Sequence, residues 1–528
     1  MISLNSISLF FNTLKYLKWI QIKYRFFYLV RNKIFIRLFK SRELKLVPRL
    51  SKSLILNGGL YAEKLWQGNN VFCFLNVEYT FQKSIDWNFD LYGKLWIYNL
   101  NYFEFLLQYD MKKEIGLNFI YDFIKSANFF SVGLEPFPTS LRVINWIKFL
   151  SKYQINDYNI NSSLYGQIHH LSKNIEYHLL GNHLLENGYA ILIGGIYFND
   201  NEFIQLGEEI LIEQLEEQIL ADGGHFELSP MYHKLLLYRL LDCVNILMNN
   251  KSKVSVELQE FMLSKATQML SWLDEMSYMN GDVPMFNDSS SGIAPSSIQL
   301  FSYASKLGIQ RKKIDLKESG YRMISRKEFE LAIDIGIVGP SYQPGHAHSD
   351  TFNFELRLNS KPFIVDTGIS TYEKSSSRNL ERSTSSHNTV QVDGYEQSEV
   401  WGGFRVARRA FPVILDSSDN HISAEHNGYQ NIGCVHQRTF SWIDSQIEIF
   451  DKMHGNDYQC KAFIHFHPSV EISILGSTVQ SKNGTISFFG AESVDIECYQ
   501  YALGFNKTME SKKIIILFKD ELKTSITW

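Results

Sequence analysis

The sequence predicts a multidomain α+β protein: an N-terminal (α/α) toroid of helical hairpins followed by a C-terminal antiparallel β-sandwich. Two textures predict it. From about Phe72 to about Ser319 apolar residues recur every three or four positions with polar connections between them, the period of helices that bury one face. After about Tyr321, short alternating runs separated by Gly, Asn, Asp and Ser take over, the period of antiparallel strands. A chain of 528 residues also exceeds what one core ordinarily supports. The expected divisions are residues 1–71, 72–319 and 320–528.

Residues 1–71 read as a basic, aromatic helical region. The first fifty hold eleven Lys or Arg against the single acid Glu43, interleaved with Phe, Tyr, Trp, Leu and Ile. Lys15, Lys18, Lys23, Arg25, Arg31 and Lys33 interrupt every apolar run before it reaches membrane-spanning length. No basic segment precedes the apolar residues and no small-residue cleavage site follows them, so the stretch does not read as a cleavable signal. A basic aromatic helix suits peripheral contact with an anionic membrane surface; packing on the toroid's edge is the plainer alternative. Location stays open between a bacterial cell envelope, periplasmic or peripheral to the membrane, and the cytoplasm.

The clearest helical patterns cover residues 138–150 (PTSLRVINWIKFL), 163–180 (SLYGQIHHLSKNIEYHLL), 201–220 (NEFIQLGEEILIEQLEEQIL) and 235–248 (LLLYRLLDCVNILM). The strand patterns are FELAIDIGIV, FNFELRL, KPFIVDTG, NTVQVDG, SQIEIFDKM, KAFIHFHP, TISFFGA and KKIIILFK. A net charge of -4 supplies no global basic field, so nucleic acid is not an expected partner, and an anionic polymer would need a locally basic cleft. The cysteines Cys73, Cys243, Cys434, Cys460 and Cys498 are scattered and lack CxxC spacing, which points to reduced thiols. The 28 Tyr and 38 Phe suit either a large helical core or sugar-stacking walls, and core packing claims most of them.

The densest chemistry lies between Gly345 and Ala410. There GHAHSDTFNFEL, FIVDTGISTY, RSTSSHNTVQVDG and SEVWGGFRVARRA bring His346, His348, Asp366 and His387 into segments that read as strands. Strand alternation puts His346 and His348 on one face and Ala347 on the other. Taken singly, each histidine reads first as a hydrogen-bonded strand residue; taken together, His348, Asp366 and His387 match the nitrogen and carboxylate ligands of zinc, with a position left for water. In the helical part, Asn182 and Glu186 stand four apart on one helix face beside His183, or else Asn182 simply caps a helix after Gly181. Tyr232 follows Ser229-Pro230, a helix entry, where the helix dipole favours a developing phenolate.

The Gly345–Ala410 segment resembles the C-terminal domain of the heparinase II/III superfamily, polysaccharide lyases acting on uronic-acid-containing chains. Three further stretches resemble that family's toroid: LEPFPTSLRVINWIKF (134–149) with Arg142, Asn145 and Trp146; HLLGNHLLENGYA (178–190) with Asn182 and His183; and DGGHFELSPMYHKLLLYRL (222–240) with Tyr232. Recognisable motifs run from about Lys94 to His467.

The resemblance implies the toroid-plus-sandwich architecture and β-elimination at a uronate. Asn182 and His183 would neutralise the uronate carboxylate. Tyr232 would protonate the leaving oxygen and also act as base for syn geometry, and His346 would be the base for the opposite C5 epimer. It further implies zinc on His348, Asp366 and His387, structural rather than reacting, with no organic cofactor. Arg142, Asn145, Trp146, Glu186 and Arg382 would bind substrate, an anionic polysaccharide or oligosaccharide. Glu227, Asn287, Asp288, Tyr372, Arg378, Glu396, Arg405, His426 and His465 would bind sugar or hold loops. Two other classes stay in view: a metal-dependent glycan hydrolase, and a non-catalytic polysaccharide-binding protein of envelope polysaccharide biosynthesis.

Overall fold

The computed structural model describes residues 4–31, 46–126, 132–251, 253–455 and 458–528. Two helices, Leu4–Leu14 and Trp19–Val30, open the chain. They are fastened to both domains by polar contacts. Buried Gln21 donates from Nε2 to the Leu179 carbonyl (3.1 Å), and the Tyr28 hydroxyl donates to the Ile175 carbonyl (2.6 Å). From the sandwich, Trp401 Nε1 donates to Thr13 Oγ1 (3.1 Å) and the Arg409 guanidinium lies 3.9 Å over the Tyr16 ring. Residues 1–3 and 32–45 of the expected basic stretch lie outside the described residues.

The helical reading from Phe72 misses a three-stranded antiparallel meander, Trp66–Gly68, Val71–Phe74 and Val77–Thr80. Its two-residue turns, Asn69-Asn70 (φ 45° and 60°) and Leu75-Asn76 (φ 55° and 61°), use the left-handed region that matches the twist of tight hairpins. Phe72 and Phe74 alternate inward and join the helical core.

The toroid helices are Gly93–Tyr102, Lys113–Ser126, Pro136–Lys152, Tyr158–Ser172, Gly181–Tyr197, Asn201–Gln218, Pro230–Asn249, Val256–Met276 and Ser297–Lys306. Asp157, Asp200, Ser229, Ser255 and Ser296 cap five of them with side-chain oxygens. The single helix expected over 163–180 is broken. It ends at Ser172, and residues 173–180 form a connection in which Leu180 takes φ 64° before the next helix starts. That next helix, Gly181–Tyr197, packs between Pro136–Lys152 and Asn201–Gln218 and is buried at every position but His183.

The first strand of the sandwich begins at Tyr321. An eight-stranded antiparallel sheet runs from edge strand Pro412–Ser418 through Val435–Ile443, Gln446–His454 and Glu521–Thr527 to Ile472–Leu475. Two four-stranded sheets, one of the strands between Tyr321 and Ile364 and one in the order Ser493–Gly504, Lys507–Phe518, Cys460–His465, Val390–Val392, pack with it around a second core. Strict alternation builds these strands: Val435–Ile443 and Gln446–His454 bury every second residue. The two domains are tied through residues 277–291, where Tyr278 donates to Glu355 Oε2 (2.7 Å) and Ser290 to the Ile369 carbonyl (3.2 Å).

Candidate active site

A cleft of about 450 Å³ opens between toroid and sandwich, lined by Asn182, His183 and Tyr232 from the first and His346, Tyr372 and Phe404 from the second. Asn182 and His183 sit in the first turn of helix Gly181–Tyr197, the end of the helix dipole that favours an anion. The Asn182 backbone N–H donates to Glu227 Oε1 (3.1 Å). Gly181, at φ 60°, permits this approach; a Cβ there would stand 2.8 Å from Glu227 Oε1. His183 Nδ1 binds Glu176 Oε1 at 3.1 Å, which leaves Nε2 for a ligand. Burial disfavours the His183 imidazolium, but Glu176 outweighs it and raises the pKa above the usual histidine value.

Tyr232 lies in the first turn of Pro230–Asn249, its backbone N–H capped by Ser229 Oγ at 3.3 Å. Its ring stacks on His346 with centroids 3.9 Å apart, and its hydroxyl accepts from Tyr372 at 3.2 Å. Burial, opposed by the Tyr372 hydrogen bond and reinforced by Asp288 and Glu227, drives the phenol pKa up. His346 Nδ1 binds Asp288 Oδ2 at 2.9 Å, and Nε2 is 3.4 Å from Glu227 Oε2. Burial raises the Glu227 carboxyl, opposed by His346 and the Asn182 N–H.

His346 and His348 do not lie on a strand. Residues 341–353 are irregular, and what unites the two rings is Asp288, whose Oδ1 binds His348 Nε2 at 2.8 Å. Arg378 closes the group, donating from Nη2 to Asp288 Oδ2 at 2.7 Å. Burial would raise the Asp288 carboxyl, but Arg378 and the two imidazoles hold it well below the ordinary carboxylate range.

Behind this group, the ligand-capable atoms of His348, Asp350 and His387 lie within 4.8 Å of one another. His348 Nδ1, Asp350 Oδ2 and His387 Nε2 are each buried without a hydrogen-bond partner, the signature of a donor set shaped for a cation. The second nitrogen of each histidine is held by a carboxylate, Asp288 or Asp366, as metal-binding imidazoles usually are. Burial pushes His348 down to about 3, so it is neutral and able to ligate, and pushes Asp350 up to about 6. Asp366, expected as a ligand, is not in that group, and Asp350 stands there instead. Its Oδ2 takes His387 Nδ1 (2.8 Å) and Asn353 Nδ2 (2.6 Å), and its Oδ1 takes the Gly368 N–H (2.9 Å). The signal for Asp350 was its place two residues after His348.

Four of the expected substrate contacts are interior. Arg142 is fully buried and bonds Gln167 Oε1 (2.7 Å), Thr139 Oγ1 (3.1 Å) and the carbonyls of Gly133 (2.7 Å) and Asn101 (3.1 Å); burial lowers it to about 9. Asn145 donates to the Tyr102 carbonyl (2.9 Å), and Trp146 packs in the toroid core. Arg382 donates to the Ala347 carbonyl (2.7 Å), so it braces the His346–His348 loop from behind. Glu186 does line the cleft, but it is paired with Arg239 at 3.1 Å. Nor, among the described residues, is the lining basic, as an anionic polymer led one to expect: it holds Lys94 and Arg239 against Glu63, Glu104, Glu186 and Glu373.

An (α/α) toroid and an antiparallel sandwich that meet over a cleft, with a histidine–carboxylate cluster on the sandwich side, define a recognisable architectural class. The heparinase II/III N-terminus family model matches residues 142–314 and the heparinase II/III-like C-terminal model matches 309–528; the chain belongs to the heparinase II/III superfamily. The heparin-sulfate lyase of Bacteroides stercoris is 22% identical over 350 residues, 61% of this chain and 51% of that protein. That of Bacteroides thetaiotaomicron is 24% identical over 326 residues, 52% and 44% respectively. The chain thus spans about half the length of the curated relatives it matches. A crystal structure of heparinase III superposes with a TM-score of 0.69 at 14% identity, covering 100% of this chain and 92% of that one.

Proposed function

We propose that the protein is a polysaccharide lyase that cleaves a uronic-acid-containing glycan by β-elimination. The observation that carries this reading is the convergence of Asn182, His183, Tyr232 and His346 on one cleft, with a tyrosine whose proton is held and a histidine oriented by a buried carboxylate. The family and the lyases named among its relatives support it. Asn182 and His183, at a helix N-terminus, take the uronate carboxylate and so acidify C5–H. With Nδ1–H on Asp288, His346 Nε2 takes the C5 proton. The C5–H electrons form the C4=C5 bond, the C4–O4 bond breaks, and Tyr232 protonates the departing O4. The test is the ultraviolet absorbance of unsaturated uronate during incubation with a panel of uronate polymers. A rise is expected with at least one; chain cleavage with no rise would convert the reading to hydrolysis.

The buried set His348, Asp350 and His387 would hold zinc, whose chemistry there is to pin the loop that presents His346; none of the three lines the cleft. We expect elemental analysis to find zinc in the purified chain, and His387→Ala to lose it and lower the melting temperature. Unchanged zinc content in that variant would reject the assignment.

We also assign the opening helices to an anionic bilayer surface. Phe10, Phe11, Trp19, Ile22, Phe26, Phe27 and Leu29 are exposed beside exposed Lys15, Lys23 and Arg25, and residues 4–31 contain no acid. The protein should co-sediment with phosphatidylserine vesicles and lose most of that binding in a Trp19→Ala/Phe26→Ala/Phe27→Ala variant. Equal sedimentation of variant and parent would sink this contact.

A further inference from the structure

We propose that helix Trp19–Val30 is a working part of the uronate site: it holds the connection 173–180 in the shape that aims Asn182 and His183 into the cleft, with Gln21 as its chief positioning residue. This rests on the lyase reading. One face of the helix lays side-chain donors along the connection. Gln21 Nε2 donates to the Leu179 carbonyl (3.1 Å) and Arg25 Nε to that of His178 (3.3 Å). The Tyr28 hydroxyl donates to the Ile175 carbonyl (2.6 Å) and Arg31 Nη1 to that of Lys173 (2.7 Å). Helical spacing puts these four on one side, and Trp19, Ile22 and Phe26 fall on the other, exposed. Gln21 is the one buried residue of this helix. Its Oε1 accepts from the Lys18 N–H (3.0 Å), which fixes the carboxamide from the other end. Its Nε2 also lies 3.5 Å from the Tyr342 carbonyl, on the sandwich loop that leads to His346.

The connection does not take its shape from local preference. Leu180 sits at φ 64° and ψ -155°, a region that glycine enters freely and leucine does not, and such a residue persists only where its surroundings fix it. It passes directly into Gly181 at φ 60°, so it sets the direction in which the helix bearing Asn182 and His183 starts. The same connection carries buried Glu176, which holds His183 Nδ1 at 3.1 Å and accepts from Asn187 Nδ2 at 3.1 Å. With Nδ1–H on Glu176, His183 Nε2 carries a proton for the uronate only as the imidazolium. Burial and Lys94 lower the His183 pKa, Glu176 and then Glu227 raise it, and His178 is the other titratable neighbour. A shift of the connection therefore reaches the uronate twice, through the aim of Asn182 and through the charge on His183.

The experiment uses the full chain in vesicle-free buffer with Gln21→Leu, and separately with Tyr28→Phe, which removes a single hydroxyl. Backbone hydrogen exchange should rise over residues 173–183 and stay at the parent's level in the sandwich strands. On a polymer that the parent cleaves, kcat/KM at neutral pH should fall on the order of 10²-fold in Gln21→Leu, the scale of a small misplacement set from a distance, and by less in Tyr28→Phe. The alkaline limb of the kcat/KM profile should also move to lower pH, because Glu176 then supports the imidazolium less. A general loss of stability would lower that profile without moving it. Unchanged exchange over 173–183, or faster exchange with the parent's kcat/KM and pH profile, would overturn the inference. If Gln21→Leu does not fold, Tyr28→Phe decides by the same readings. Faster exchange over 173–183 in variants of a parent that cleaves no polymer would leave the hold on the connection standing and remove the lyase reading instead.

Discussion

Tyr232→Phe should reduce elimination by roughly 10²–10⁴-fold, the range general acid–base groups contribute, with the melting temperature unchanged. The substitution deletes the hydroxyl that accepts from Tyr372 and nothing else that holds the site. The ring stacked on His346 stays, and so does the backbone cap on Ser229. Because burial, aided by Asp288 and Glu227, raises the phenol pKa, Tyr232 is protonated throughout the neutral range and suits the acid better than the base. The loss should therefore fall on kcat, with KM little changed, and should be greater for a poor leaving group than for an activated aryl uronide, which departs without a proton. Full activity on the natural linkage would remove Tyr232 as the acid and pass the role to Tyr372, whose hydroxyl is 3.2 Å away.

What the sequence made legible followed from burial patterns with a period. Ser229-Pro230 announced the helix entry that places Tyr232, and alternating runs announced the strands. Helix Pro136–Lys152 shows why Arg142, Asn145 and Trp146, expected at the substrate, lie inside the toroid. Almost every position from Pro138 to Ser151 is buried, so no polar face distinguishes a residue aimed at the cleft from one aimed at the core. Its residues on the cleft are Phe137 and Leu141, whereas Arg142 spends its donors on neutral oxygens inside the toroid. The meander at Trp66–Thr80 was hidden because its turns use Asn and Leu rather than Gly at positive φ. Asp288 carried no local signal either, for its partners His346, His348 and Arg378 lie 58, 60 and 90 residues away.

Asp288→Asn is expected to be the most damaging single change for stability and activity together. The carboxylate is fully buried and shared by Arg378, His346 and His348, so its loss leaves a buried guanidinium without its counter-charge. Breaking such a pair from one side costs about 3–5 kcal/mol. Linkage gives the same group a pH signature. Its folded pKa lies below the unfolded carboxylate value of roughly 3.9, so its stabilisation is complete above that pH and is lost as pH falls through the folded value. The parent should therefore lose stability in acid more steeply than Asp288→Asn, and the two melting temperatures should converge as pH falls below about 4. Activity should fail in the variant even where it is folded, because an amide leaves the imidazolium of His346 without a counter-charge when C5 is deprotonated. Parallel melting curves at all pH values would mean that Asp288 is not the ionised hub of the site. Folded Asp288→Asn with full activity would mean that His346 needs no carboxylate behind it, and the base would then have to be sought elsewhere in the cleft.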